Sequence, residues 1–262
     1  MKWHRINGLL IRHLYLYRRS FPRIADLLYW PVMDILLWGF ISMYLEKLHL
    51  FGFNAVTVLL GAMIFWDLLS NAQRTVSITF LEEVWERNML NIFVTPLSVS
   101  EFLASTFALS ITRIFLVGII MGGLSFLLYH LNFFVFGPAL IPFVANLLFF
   151  GWTLGLFTTS IILRWGTSAQ ILAFGFVLLI QPFTAVFYPV SSLPSQIQWI
   201  AYLFPSTYVF EGMRLVVSTG AFPLQLMIYA VIVNVFYGAV NIWYFRRCFA
   251  GAKKRGALMR LD

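Results

Sequence analysis

Long apolar segments separated by short polar connections are the main feature of this 262-residue sequence. A helix that crosses a bilayer needs roughly 20 mostly apolar residues. Six segments meet that requirement, so the pattern predicts an all-α polytopic membrane protein that forms one domain over residues 1–262. The six predicted transmembrane helices are Leu27–Leu45, Val56–Phe80, Phe102–Leu128, Phe136–Leu163, Ser168–Tyr188 and Leu224–Phe245.

Residues 1–23 precede the first predicted span and have an amphipathic pattern. At 100° per residue, Arg5, Arg12 and Arg19 fall on one helical face. The residues that gather roughly opposite are apolar or aromatic: Ile6, Leu10, Leu14 and Tyr17. This pattern is typical of a helix that lies in the membrane interface. The alternative is a basic leader that follows the positive-inside rule without forming a helix.

A polar segment between the second and third spans predicts a short cytoplasmic helix over residues 82–96. Pro96 ends it, and Ser98 and Glu101 have the spacing of a capping box that starts the next span. A helix held between two long spans suits docking by a cytoplasmic partner, and the alternative is a solvated connector. The polar residues that would meet such a partner are Glu82, Glu83, Glu86, Arg87 and Asn88.

An outer segment, residues 189–217, lies between the last two predicted spans. It is apolar, but Pro189, Pro194 and Pro205 divide it, and each proline disfavours a helix at the residue before it. The pattern therefore predicts short re-entrant or interfacial helices that do not cross the membrane. Glu211 and Arg214 lie three residues apart within this segment and can form an ion pair.

Charge is scarce in the sequence and collects at its two ends. Apolar residues make up 61% of the chain and charged residues 11%. This composition excludes a water-soluble fold, because there are too few charged side chains to cover the surface of one. Twelve of the 18 Lys and Arg residues lie in two clusters that flank the spans: Lys2, Arg5, Arg12, Arg18, Arg19 and Arg23, then Arg246, Arg247, Lys253, Lys254, Arg255 and Arg260. We interpret them as anchors on anionic lipid rather than nucleic-acid contacts, with both termini in the cytoplasm.

Three ionisable residues lie within predicted spans. Asp34 and Asp67 fall well inside apolar segments, and Arg113 lies in the third. A charge near the bilayer centre costs roughly 2.5–3.5 kcal/mol on insertion scales. These residues can therefore line a pathway or pair two helices, and the alternative is a satisfied structural contact.

The sequence contains none of three motifs that mark common catalytic sites. There is no GxxxxGK[ST] phosphate loop, no HExxH metal motif and no GxSxG nucleophile motif. The single cysteine, Cys248, can form no internal disulfide. We therefore expect no catalytic residue, cofactor or metal on this chain.

Three features together resemble the ABC-2 type transport permeases, and the resemblance covers essentially the whole chain. They are the basic amphipathic segment, the acidic helix that runs into Thr95-Pro96-Leu97-Ser98, and the outer run Tyr188-Pro189-Val190-Ser191-Ser192-Leu193-Pro194 that continues to Phe204-Pro205 and Glu211-Gly212-Met213-Arg214. One departure is that the family often has a glycine soon after the acidic residues, where this chain has Glu86-Arg87-Asn88.

The resemblance implies the membrane subunit of an ABC exporter in a bacterial inner membrane. It would pair with a second permease copy, and two separate cytoplasmic ATPases would hold ATP and Mg²⁺ and dock on residues 82–96. The outer segment would help to close the pathway of a hydrophobic or amphipathic substrate, such as a drug, a lipid or a lipid-linked glycan. One alternative is an ion-coupled secondary transporter or channel that uses Asp34 and Asp67. Another is a membrane enzyme or assembly scaffold.

Overall fold

The computed structural model describes residues 1–48 and 56–256, and the secondary structure within these residues is helical. Arg260 of the C-terminal basic cluster lies outside the described residues. The helices are α1 Trp3–Arg19, α2 Phe21–Lys47, α3 Val56–Trp85, α4 Met89–Val94, α5 Val99–Tyr129, α6 Leu140–Trp165, α7 Ile171–Ile180, α8 Gln198–Ala201, α9 Pro205–Thr219 and α10 Leu224–Lys254. The first turn of α3 is π-helical, and 3₁₀ helices cover Phe133–Ala139, Gly166–Ala169, Gln181–Phe183 and Val190–Ser192.

Five of these helices are long and apolar enough to cross a membrane, which confirms the all-α polytopic class. They are α2, α3, α5, α10 and the continuous segment Phe133–Trp165 that contains α6. Their exposed side chains are largely apolar, as lipid contact requires, with Phe40, Phe115 and Phe236 as examples. Most ends of these five helices therefore lie within a few residues of the positions that the sequence pattern predicts.

The predicted fifth span, Ser168–Tyr188, is shorter in the structure, so the count of six spans is not confirmed. Gly166 has a φ of 74°, a conformation that ends α6 and that glycine adopts readily. The α-helical part then covers only Ile171–Ile180, and a 3₁₀ helix containing Pro182 follows. Ten residues of α-helix measure about 15 Å, roughly half the thickness of the hydrocarbon core.

The predicted helix over residues 82–96 is two separate pieces. Helix α3 continues through Trp85, so Glu82 and Glu83 belong to its last turn. Arg87 has a φ of 52°, which breaks the helix before α4 begins at Met89. The predicted capping box between Ser98 and Glu101 is present at the start of α5.

Helix α3 is the centre of the bundle, with nearly all of its apolar stretch buried against α2, α5, α6 and α7. Its closest neighbour is α6, where Gly151 and Gly155 allow the two backbones to approach. A Cβ atom added to Gly151 would lie 2.6 Å from the carbonyl oxygen of Leu69, and one added to Gly155 would lie 2.6 Å from the Cβ of Val76. This close helix contact through glycines four residues apart is typical of membrane proteins.

Candidate functional site

A cluster of charged residues joins α1 to the end of α3, and Glu83 is its centre. Only 1% of Glu83 is exposed. Arg12 of α1 forms a bidentate ion pair with it, in which Nη2 lies 3.1 Å from Oε2 and Nη1 contacts Oε1. The side-chain amide of Asn88 donates a 2.7 Å hydrogen bond to the same Oε2. Charge-assisted bidentate pairs of this kind fix orientation, so α1 is held against the segment that connects α3 to α4.

Further ion pairs connect the N-terminal residues to the same region. The guanidinium of Arg23 lies 3.2 Å from Glu82 and 3.3 Å from Glu86. Glu101 of the capping box lies 3.6 Å from Arg5, and it also accepts a 2.7 Å hydrogen bond from the backbone N–H of Lys2. The charged cluster therefore ties α1 and the start of α2 to both ends of the connection between α3 and α5.

His13 is buried inside the charged cluster. Its Nε2 lies 3.9 Å from Glu83 and has no hydrogen-bond partner among the described residues. Burial lowers the pKa of His13 to about 4, because the opposing attraction of Glu83 is weaker than the loss of solvation. The hydrogen bond to Glu83 raises the pKa of Arg12. His13 is therefore neutral at physiological pH, while Arg12 stays charged.

A groove of about 400 Å³ runs between α1 and residues 88–97. Leu9 and Ile92 line it together with Arg5 and Arg12. Trp85 and Val94 belong to the same connecting segment but do not line the groove, and they are 48% and 76% exposed. We call Trp85, Glu86, Arg87, Asn91 and Val94 the connector surface, since all five are exposed on the segment between α3 and α5.

The connector surface is joined to the short helix α7 by one side-chain contact. The indole Nε1–H of Trp85 donates a 3.2 Å hydrogen bond to the side-chain oxygen of Gln170. Gln170 is the residue that precedes α7. A displacement of Trp85 would therefore reach the start of α7 directly.

The five predicted partner-contacting residues differ in their exposure. Glu86 and Arg87 are exposed, and Glu82 and Asn88 are partly buried. Glu83 is buried under Arg12 and Asn88, so its carboxylate is not available to a partner in this conformation. Glu83 is better described as a positioning residue for the connector surface.

The three predicted intramembrane ionisable residues do not form one group. The guanidinium of Arg113 in α5 donates a 2.7 Å hydrogen bond to the hydroxyl of Tyr17, and its Cζ lies 5.0 Å from the centre of the Tyr17 ring. Asp34 and Asp67 instead line a cleft of about 420 Å³ between α2, α3 and α7. Arg113 therefore anchors α1, and only the two aspartates share a cavity.

Glu211 and Arg214 of α9 hold the outer segment in place. Their side chains form the predicted ion pair at 3.1 Å. Glu211 also accepts a 2.8 Å hydrogen bond from the backbone N–H of Val190, and Arg214 donates to the carbonyl oxygens of Ala185 and Val186. The predicted prolines lie around this contact: Pro189 precedes the 3₁₀ helix Val190–Ser192, Pro194 follows it, and Pro205 begins α9.

Sequence reasoning missed the role of the basic side chains of α1. The residues that α1 buries are Ile6, Leu9 and His13, whereas the predicted apolar face contains Leu14, which is exposed. The buried face is therefore rotated toward Arg5 and Arg12, which meet protein carboxylates rather than lipid. The acidic residues near 82–101 were the signal for this pairing, but the sequence does not say which helix end meets them.

A family model described as ABC-2 type transporter matches residues 14–217. The match covers more than half of the chain and includes the C-terminal part of α1, the connector surface, the cleft and the outer segment. No curated protein matches the chain.

Proposed function

This chain belongs to the ABC-2 type transporter family, and we propose that it is the permease subunit of an ATP-driven exporter whose ATPase is a separate chain. Family membership makes it a transmembrane transport subunit of an ABC transporter. The partner, the direction and the substrate are the proposal.

The observation that carries the proposal is the connector surface. It presents an aromatic and an aliphatic side chain, Trp85 and Val94, on the same exposed segment as the charged residues Glu86 and Arg87. Exposed apolar residues rimmed by charges are typical of a protein interaction site. We assign this site to the ATPase, with the connector surface and the groove wall of α1 as its footprint.

The buried charges explain how docking would move the bundle. Arg12 and Glu83 join α1 to α3, so a partner that pushes on the connector also pushes on α1. Trp85 and Gln170 carry the same displacement to α7. Because α3 is packed on all sides, its last turn can transmit a force to the middle of the membrane without bending.

The remaining parts of the assembly follow from the same proposal. Two ATPases would supply ATP and Mg²⁺, and this chain's own residues would dock them and transmit the motion. A second permease copy would complete the pathway in a bacterial inner membrane, with both termini in the cytoplasm. The Glu211–Arg214 contact would hold the outer segment as a gate for a hydrophobic or amphipathic substrate, such as a drug, a lipid or a lipid-linked glycan.

Affinity purification in mild detergent tests this proposal. Tagged native chain should bring down a protein with ATPase activity. The variant Arg87→Glu with Val94→Lys should lose most of that activity, because both residues are exposed and a mismatched charge or a desolvated lysine weakens docking. Glu46→Lys, an exposed reversal at the far end of α2, is the matched control and should keep it. Native chain that brings down no ATPase activity would refute the exporter.

One observation favours a second function, an ion-coupled carrier. Asp67 is buried, and its Oδ2 has no hydrogen-bond partner within the described residues. A carboxylate of this kind can bind and release a proton or cation during transport. The carrier predicts uptake or release driven by an ion gradient without any ATPase, and it requires Asp34 and Asp67.

A further inference from the structure

The cleft between α2, α3 and α7 is enclosed by aromatic rings and two carboxylates. Its volume of about 420 Å³ is within the range of small-molecule sites. Trp30 and Trp38 of α2 and Trp66 of α3 line it, and the ring of Trp38 stacks on Phe187 with their centres 4.1 Å apart. The cleft is therefore large enough for an organic molecule and has walls suited to an apolar or aromatic one.

Asp67 lines this cleft with a buried carboxylate. Only 4% of the residue is exposed, and its Oδ2 has no hydrogen-bond partner within the part of the chain that the structure describes. A buried carboxylate that lacks a partner is costly, so in a native protein it calls for an explanation. A bound group that donates hydrogen bonds or carries positive charge would be such an explanation.

The charges that line the cleft favour a cation over an anion. Asp34 and Asp67 face one basic residue, Arg74, which forms no ion pair within the described residues. With all three ionised the formal charge is −1, so one cation would neutralise the cleft and an anion would add to its excess. The side-chain nitrogen of Gln73 is already engaged, because it donates to Ser77, Thr158 and the carbonyl of Ala173, whereas its Oε1 has no hydrogen-bond partner within the described residues.

The residues that line the cleft favour an organic cation over a metal ion. A metal ion needs several oxygen ligands at short range, and no group of three acidic, histidine or cysteine residues that could hold one occurs within residues 1–48 and 56–256. An organic cation instead gains from indole faces by cation–π attraction and buries its apolar groups against them.

We propose that this cleft binds an amphipathic organic cation, a quaternary or protonated amine that carries apolar groups. Asp67 neutralises its charge from the buried side, Asp34 does so from the more open side, and the tryptophan rings hold the apolar groups. That the cation is then exported rests on the proposed function. The binding itself does not.

Two probe ions of nearly the same shape and opposite charge test this assignment. Tetraphenylphosphonium and tetraphenylborate are measured against the full chain in lipid nanodiscs, with empty nanodiscs subtracted for partition into lipid. We expect saturable binding of the phosphonium and none of the borate. Asp67→Asn should weaken the binding of the phosphonium by roughly tenfold or more, since it removes one partner of a buried charge pair. Asp26→Asn, an exposed aspartate of α2 outside the cleft, should leave its affinity unchanged.

A second variant protects the test against misfolding. Trp30 is half exposed, so Trp30→Leu should fold normally. It should weaken the binding of the phosphonium by about threefold or more, because the indole face is lost. Equal binding of both ions, or an affinity that neither Asp67→Asn nor Trp30→Leu changes, would overturn the cation site.

The measurement needs no ATPase, so the two proposals can fail separately. An ATPase partner without selective phosphonium binding would leave the exporter standing, and selective binding without an ATPase would leave the cation site standing.

Discussion

Trp85 and Gln170 lie 85 residues apart in the sequence, and a 3.2 Å hydrogen bond joins their side chains. Trp85 is the last residue of α3, and Gln170 precedes α7. The same indole is half exposed on the connector surface. An exposed side chain of the proposed docking surface is therefore hydrogen-bonded to the residue that precedes α7, the helix on one side of the cleft.

Trp85→Phe keeps the aromatic ring and removes the N–H donor. We expect the ATPase to remain bound, while the nucleotide-dependent change in α7 falls, since a coupling contact is worth about 0.5–2 kcal/mol. Hydrogen–deuterium exchange of residues 171–180 with and without ATP and vanadate measures that change. Trp199→Phe alters an exposed tryptophan of the outer helix α8 and serves as control. An unchanged exchange response in Trp85→Phe would show that this hydrogen bond does not couple the connector surface to α7.

Arg12→Leu should destabilise the protein through Glu83. The carboxylate would remain buried without its main partner, and breaking a buried pair in this way costs about 3 kcal/mol. Arg18→Leu removes an exposed arginine of the same helix and should change the free energy of unfolding by less than about 0.5 kcal/mol. SDS titration in mixed micelles measures both. Equal effects of the two variants would mean that the Arg12–Glu83 pair contributes no stability.

Arg87→Gly should stabilise the protein. Arg87 has a φ of 52°, which costs an L-residue about 1–2 kcal/mol relative to its usual conformation, and glycine avoids that cost. Part of the gain is lost to the greater freedom of glycine in the unfolded chain, so we expect a net gain of about 0.5–1 kcal/mol. Asn91→Gly, an exposed position inside α4, should instead lower stability in the same SDS titration. A loss of stability in Arg87→Gly would show that the strain is absent.

Stability should fall on acidification because of His13. Its pKa is about 4 in the folded protein and about 6.5 when unfolded, so the unfolded chain binds more protons between these values. From pH 7.5 to pH 5, His13 should lower the free energy of unfolding by about 2 kcal/mol. His13→Gln should remove that part of the pH dependence, and His4→Gln, an exposed histidine of the same helix, should retain it. Parallel pH profiles for the two variants would contradict a buried neutral His13.

The sequence predicted the elements whose signals are local. Apolar runs located the five long helices, and the Ser98–Glu101 spacing located the start of α5, because hydropathy and capping depend on neighbouring residues. The predicted fifth span is not confirmed as a full crossing for a related reason. An apolar run does not reveal that Gly166 adopts a positive φ and that Pro182 lies in a 3₁₀ turn.

The candidate site depended on contacts that no local pattern contains. Arg12 and Glu83 are 71 residues apart, and the amphipathic pattern of α1 suggested lipid as the partner of its arginines. Asp34 and Asp67 were identified as unusual because charge is costly in a membrane, but only packing shows that they share a cleft while Arg113 pairs with Tyr17.

Site-specific cross-linking from the connector surface tests the central claim most directly. Val94→Cys, made with Cys248→Ala so that it carries the chain's only thiol, would be labelled with a photoreactive group and irradiated in native membranes. We predict an adduct whose tryptic peptides include a GxxxxGK[ST] phosphate loop. The same label at Phe134→Cys, exposed in the connection between α5 and α6, should give none. An ATPase adduct absent from Val94→Cys, or equally abundant at both positions, would contradict docking at this surface.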